Sequence, residues 1–305
     1  MNHLFKNLLL LFVFSFMLFC GCSHTNTSTK SDLASIINSK GITELPLPSP
    51  PESMSDPAER AAFIAERFWD SLDFCNDPLA LDTAFMEQNF ANFISILSIP
   101  PREQAAIAVD KLVRTARQSP QSADLLDFIS GKYLDDPNSP MRDEEIYILF
   151  LEAVLKLDDI SPEKEMRARY RLNQALKNRR GTKAADFRFI TSDGKETTLL
   201  KSLGDRLTML MFYDPECPQC TEIKDRLKNT DIAPDIKIIA VDIAGDRESW
   251  IKNISSMPHS WEIGFATDNI DDDEIYVIPA LPVFYLLDSI GTVILKDPPP
   301  EMLIR

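Results

Sequence analysis

Apolar residues recur with two different periods along this chain, and the change falls at Gly181. From Asp56 to Arg180 the spacing is helical. Asp56 stands as an N-cap ahead of Pro57, Glu59 completes a capping-box pattern, and Ala61, Ile64, Ala65, Phe68 and Leu72 form one stripe. A second helix is predicted over residues 141–157, with Ile146, Leu149, Phe150, Ala153, Val154 and Leu157 on one face. A third opens on Ser161 and Pro162, runs through Tyr170, Leu172 and Leu176, and stops before Gly181. Residues 81–97 and 102–117 also read as helical. Gly131 is the one glycine of this stretch and strand-like alternation is scarce, so residues 56–180 are predicted to form an all-α helical domain without a motif for chemistry. Trp69 and the many phenylalanines read as its core.

Beyond Gly181 the pattern turns to short β-branched runs broken by turns. Residues 187–191 and 196–200 flank Ser192-Asp193-Gly194 as a hairpin, 207–213 is a buried strand, and 236–242 is another. Residues 246–254 and 270–276 look like short helices with a strand at 262–266 between them. Two last runs, 283–288 and 292–296, meet at Ser289-Ile290-Gly291. Strand, helix, strand and a terminal hairpin predict a mixed α/β sheet flanked by helices over residues 181–305.

The strand at 207–213 runs into Asp214-Pro215-Glu216-Cys217-Pro218-Gln219-Cys220, where a helix is expected to begin. Two cysteines so spaced make a candidate redox dithiol. A sulfur at a helix N-terminus faces unpaired N–H groups and the positive end of the helix dipole, which favour its thiolate, so Cys217 is the expected attacking thiol. Cys220, one turn further in, is the expected resolving thiol, closing an intramolecular disulfide as the substrate leaves. Pro218 suits the first helical turn, where its missing N–H costs nothing. No charge stands between the cysteines to stabilise a thiolate, which predicts a moderately reducing couple.

Residues 1–21 carry one basic residue, Lys6, and then the apolar run 8–19, too short for a bilayer that needs about 20 residues. Leu18-Phe19-Cys20-Gly21-Cys22 resembles a bacterial lipobox. The resemblance implies a lipoprotein signal peptide over 1–21, acylation of Cys22 and lipid membrane as a partner. Residues 22–55 are polar and then proline-rich, and are expected to be a flexible tether spanning on the order of 30 Å. No acidic cluster follows Cys22, which favours a periplasm-facing lipoprotein of the cell envelope, at the outer membrane.

The formal charge is −15, and −16 once Lys6 leaves with the signal, so nucleic acid is excluded as a partner. After Cys20 and Cys22, only Cys75, Cys217 and Cys220 remain, too few for a disulfide scaffold. Cys75 is expected to be a structural thiol, buried or half-buried. One cysteine pair with His24 and His259 supplies no second ligand pair, so neither metal nor cofactor is expected.

Residues 181–305 resemble the TlpA/ResA-type branch of the thioredoxin superfamily. The resemblance rests on Ala184-Ala185-Asp186-Phe187 ahead of an Asp-Gly turn, on the strand leading to Cys217-Pro218-Gln219-Cys220, and on Ala280-Leu281-Pro282 followed by the run to Asp288. It implies a cis peptide before Pro282, packed against the dithiol, and a backbone at Leu281 that pairs with an extended substrate. Cys217, Cys220 and Pro282 are then the catalytic positions, and Pro218, Gln219 and Leu281 those facing substrate. The implied activity is thiol-disulfide exchange with client proteins, sustained by an unknown electron donor. A redox-inert binding or scaffold lipoprotein on the same fold is the alternative. Signal, helical domain and thioredoxin-like domain together resemble a group of gram-negative lipoproteins. Two positions depart from the pattern. Met211 stands where the family places an acid or Asn, six residues before the first cysteine, and after residue 298 the chain is expected to form at most one or two turns of the family's closing helix.

Overall fold

The computed structural model describes residues 44–228 and 236–298. The signal peptide, Cys22, most of the tether and the closing turns lie outside the described residues. The described residues cluster as one compact unit. No described helix is long and apolar enough to cross a membrane.

The helical part comprises α1 (Pro57–Arg67), α2 (Thr83–Leu97), α3 (Arg102–Ala116), α4 (Pro120–Leu134), α5 (Glu144–Leu155) and α6 (Pro162–Leu176). Side-chain caps fix most of the starts. Asp56, Asp82, Ser119, Asp143 and Ser161 each accept a hydrogen bond from a first-turn N–H, which satisfies a donor that the helix itself leaves unpaired. The cap at Asp143 also explains why α5 begins later than the apolar spacing suggests. α1 stops at Arg67, where the chain turns, yet Phe68, Trp69 and Leu72 remain buried. Trp69 packs edge-on against Phe68 and Phe93, with ring centroids 5.2 and 5.8 Å apart, so these aromatics are core.

Four expectations need correction here. α4 is an additional helix, hidden in the sequence by Gly131 and by Phe128, an apolar residue that points to solvent. α6 forms where expected, but of its expected stripe only Leu172 packs, half-buried, against the helical core. Tyr170 and Leu176 are exposed, whereas Ala168 and Ala175 are buried. The flexible tether does not extend to Ser55, because the Leu45 N–H donates to Asn89 Oδ1 at 2.7 Å and the Leu45 side chain packs against the helical core. Cys75 is exposed, held in a turn where Asp73 Oδ1 accepts from the N–H groups of Cys75 and Asn76.

The remaining chain forms β1 (Arg188–Thr191), β2 (Glu196–Thr198), a one-turn helix α7 (Leu199–Ser202), β3 (Leu207–Tyr213), α8 (Pro218–Lys228), β4 (Ile236–Asp242), α9 (Arg247–Asn253), β5 (Glu262–Ala266), β6 (Val283–Leu287) and β7 (Val293–Lys296). These strands lie in one sheet in the order β2-β1-β5-β4-β3-β6-β7. β3 is parallel to β4 and β4 to β5, while β6, β7, β1 and β2 pair antiparallel. β3 is therefore interior to the sheet and buried on both faces, as its unbroken apolar run requires.

Alternation sorts β3 and β4 between two cores. Met209, Met211 and Tyr213 join Ile238 and Ala240 under α8 and α9, whereas Leu210 and Phe212 join Ile239 and Val241 on the opposite face. That second face is covered by an aromatic group including Phe187, Tyr276 and Tyr285, with Phe212 and Tyr276 centroids 4.9 Å apart. Residues 199–200 belong to α7 rather than to β2, and 270–276 is a turn rather than a helix. Four consecutive acids, Asp271 to Glu274, disfavour that helix. The chain instead folds back so that the Ile275 and Tyr276 N–H groups reach the Ile270 carbonyl, and Tyr276 drops inward to donate to the Ala185 carbonyl at 2.7 Å.

Candidate active site

The carboxyl end of β3 delivers Tyr213 to a tight turn. Asp214 shapes it, its Oδ1 accepting from the Glu216 N–H at 2.7 Å and its carbonyl from the Cys217 N–H at 3.2 Å. α8 starts at once with Pro218. Cys217 thus precedes the first helical residue, half-buried, while Cys220 lies within the first turn and is 2% exposed. Both are free thiols.

The Cys220 N–H donates to Cys217 Sγ at 3.2 Å, so an otherwise unpaired helix N-terminal donor points at the outer sulfur. Such a bond stabilises negative charge on that sulfur. Across the site, Cys217 Sγ lies 3.8 Å from the Leu281 carbonyl oxygen. The Leu281–Pro282 peptide is cis, and Pro282 leads directly into β6, the antiparallel neighbour of β3. The loop at 281–282 is therefore brought against the dithiol. Pro218 and Gln219 are exposed on the outer side of the turn, and Leu281 is half-buried.

Burial pushes the Cys220 thiol up, to about 12. An N–H of Asp214 opposes the rise, while Cys217 and the Asp214 carboxylate add to it. The two sulfurs accordingly differ in kind, the outer one touched by a helix donor and the inner one held as a thiol. A cavity of about 240 Å³ reaches Cys220 from behind, with Met211, Tyr213, Asp214, Lys224 and Met257 in its wall.

Met211 is fully buried and apolar, so it offers no proton acceptor. An acid that sequence reasoning passed over lies one strand away. Asp242 ends β4 in register with Tyr213 and, by alternation, belongs to the face that carries Cys220. It is 0% exposed; Oδ1 accepts from the Ala244 N–H at 2.8 Å, and Oδ2 is buried without a hydrogen-bond partner among the described residues. Burial raises its pKa to about 6, opposed by the Ala244 N–H and assisted by Asp214 and Asp246. Tyr213 is raised as well, first by burial and then by Asp242. The available signal was an aspartate closing the apolar run Ile236–Asp242. Glu216, beside Cys217, is exposed and accepts from Ser249 Oγ at 3.3 Å.

This sheet, with its helix after β3, defines a thioredoxin-like domain, and residues 204–293 match the family model described as Thioredoxin-like. Residues 21–178, just over half of the chain, match the model described as Domain of unknown function (DUF5106), and the chain belongs to that family. A thioredoxin-like protein from Bacteroides caccae is similar over both parts, at 29% identity and a TM-score of 0.77, covering 85% of this chain and 95% of that one. The C-terminal domain of an uncharacterized protein from Bacteroides fragilis matches at 28% identity over 42% of this chain and 99% of its own, with a TM-score of 0.39. The thioredoxin domain of a thiol-disulfide oxidoreductase from Bacteroides vulgatus matches at 20% identity over 41% and 91%, with a TM-score of 0.35. No curated protein matches the chain.

Proposed function

We propose that this chain is a membrane-anchored thiol-disulfide oxidoreductase of the cell envelope, periplasm-facing and held to the outer membrane through acylated Cys22, that reduces or exchanges disulfides of client proteins through Cys217 and Cys220. The observation that carries the reading is the asymmetry of the two sulfurs, Cys217 half-exposed under a helix N–H and Cys220 buried one turn behind it. The Cys217 thiolate attacks one sulfur of a client disulfide, forming a mixed disulfide and expelling the client's other sulfur as a thiolate. Cys220 gives up its proton and attacks Cys217 Sγ. The Cys217–Cys220 bond forms, the bond to the client breaks, and two electrons have passed to the client. A thiol donor of unknown identity returns them. Pro282 and Leu281 form the opposite wall, where an extended client segment lies, and Pro218 and Gln219 face it.

The alternative, a redox-inert binding or scaffold lipoprotein on this fold, has Met211 in its favour, since no acid occupies that position to take the Cys220 proton. Trapping separates the two. Cys220→Ser in a Cys75→Ser background, which removes the exposed third thiol, is expected to accumulate mixed disulfides at Cys217 in cells, and Cys217→Ser none. Absence of any Cys217 adduct, together with no turnover of insulin disulfides by the intact protein, selects the inert reading.

A further inference from the structure

α6 is amphipathic in an unusual sense. Met166 and Tyr170 point to solvent, 67% and 59% exposed. Lys164, Arg167, Ala168 and Arg171, spaced three and four residues apart, share the other side, which lines a cavity of about 300 Å³ between α3, α4, α5 and α6. Val113, Leu126, Phe150, Leu151, Val154 and Leu157 form an apolar part of the remaining wall, and Asp127, Ser130, Tyr147 and Asp159 a polar part. Ala168 is the one buried side chain that α6 contributes there, a small residue opposite large ones, and the space between them stays open.

Close-packed interiors leave few spaces of this size, and its apolar part gives water few partners. At about 30 Å³ for each water-sized group, the cavity takes roughly ten non-hydrogen atoms. Its lining carries four cations, Arg117, Lys164, Arg167 and Arg171, against two carboxylates, Asp127 and Asp159, on a chain of net charge −15. Arg117 is paired with Asp159, Lys164 with Asp124 at 2.5 Å, and Arg171 donates to the buried Tyr147 hydroxyl at 3.2 Å and lies 4.0 Å from Asp127. Arg167 lines the same cavity and interacts at longer range with the Glu163 carboxylate, one turn before it on α6. Apolar walls with a few converging polar groups are the usual make-up of a small-ligand site.

We propose that this cavity binds a small amphipathic anion, a medium-chain fatty carboxylate in class. Its chain lies against Leu126, Phe150 and Val154, and its carboxylate meets Arg167 and Lys164 at the entrance. The site is independent of the dithiol.

Calorimetric titration of the full chain with decanoate below its micellar range tests this. Saturable one-to-one binding is expected, with 1-decanol and decyltrimethylammonium at least tenfold weaker. Lys164→Gln with Arg167→Gln, both exposed positions, should weaken decanoate at least tenfold, with an unfolding temperature lowered by no more than the loss of the surface Lys164–Asp124 pair allows. Ala168→Leu fills the cavity and should abolish binding while holding or raising that temperature; if this variant does not fold, the double charge variant decides alone. No saturable binding, equal binding of the alcohol or the ammonium, or decanoate affinity unchanged in the charge variant overturns the proposal.

Discussion

A carboxylate as enclosed as that of Asp242 records its burial in the pH dependence of stability. An aspartate in an unfolded chain titrates near 3.9, whereas burial brings Asp242 to about 6. Between these values the folded chain holds a proton that the unfolded chain has released, so stability falls as pH rises from about 4 to about 6, and the penalty is complete above that window. The shift corresponds to on the order of 3 kcal/mol. Asp242→Asn keeps an oxygen for the Ala244 N–H and removes the charge. Urea unfolding at pH 4 and pH 8 should show the variant close to wild type at the lower pH and more stable by about 2–3 kcal/mol at the higher. An equal difference at both pH values contradicts a buried, titrating Asp242. Single residues were legible in the sequence wherever local chemistry decides them. Cys217 and Cys220 follow from spacing, and the caps at Asp56 and Ser161 from residue type. Asp242 was not legible, because its significance depends on register with Tyr213 across two strands. Cys75 was misread because an exposed Asp73 turn, rather than the apolar stripe before it, sets its surroundings.

Elements were readable in proportion to their periodicity. β3 and β4 stand at the positions their apolar runs define, since strands buried on both faces leave little ambiguity. α4 was missed and the turn at 270–276 overread, because in both the apolar spacing is misleading. Phe128 faces solvent, and Ile270 and Tyr276 are buried without a helix between them. The face of α6 was misread in part for a related reason, as its fully buried residues are alanines while Met166, Tyr170 and Leu176 are outside and Leu172 alone packs inward as expected. Close packing across the sheet gives a test at this scale. A Cβ at Gly264 in β5 would stand 2.4 Å from Phe189 Cδ2, a distance that forces the ring to move. Gly264→Ala should cost about 1–3 kcal/mol by overpacking, read as a lower urea midpoint with an unchanged slope. Phe189→Leu in the same chain should recover part of the loss. A midpoint equal to wild type in the single variant would show that the ring yields freely.

In the molecule as a whole, the sheet and the helices meet through charge. Lys296 of β7, its side chain 8% exposed, pairs with Glu144 of α5 at 2.7 Å and donates to the carbonyls of Ala175 and Lys177 at 3.1 and 2.7 Å. A cation thereby sits at the C-terminus of α6, where the helix dipole favours it. Arg142 with Asp297 and Arg179 with Glu145 extend the cluster. Burial lowers the Lys296 pKa and raises that of Glu144, so desolvation opposes the pair and its loss leaves a half-buried carboxylate unmatched. Lys296→Met should therefore destabilise by about 3 kcal/mol, measured as a drop in the urea midpoint. A change within error would assign the join to apolar contacts instead. None of this junction was legible beforehand, since Glu144 and Lys296 are far apart in sequence and each reads as a surface charge. The two-part organisation itself was visible in the change of period at Gly181. The central claim is that Cys217 and Cys220 cycle as a redox couple, and equilibration of the full chain in glutathione buffers tests it most directly, with acid quenching, alkylation and mass analysis at each ratio. The account predicts one reversible two-electron transition that forms the Cys217–Cys220 disulfide, at a potential clearly more reducing than the about −120 mV of the strongest periplasmic oxidases. Both cysteines remaining open to alkylation at every ratio would contradict it.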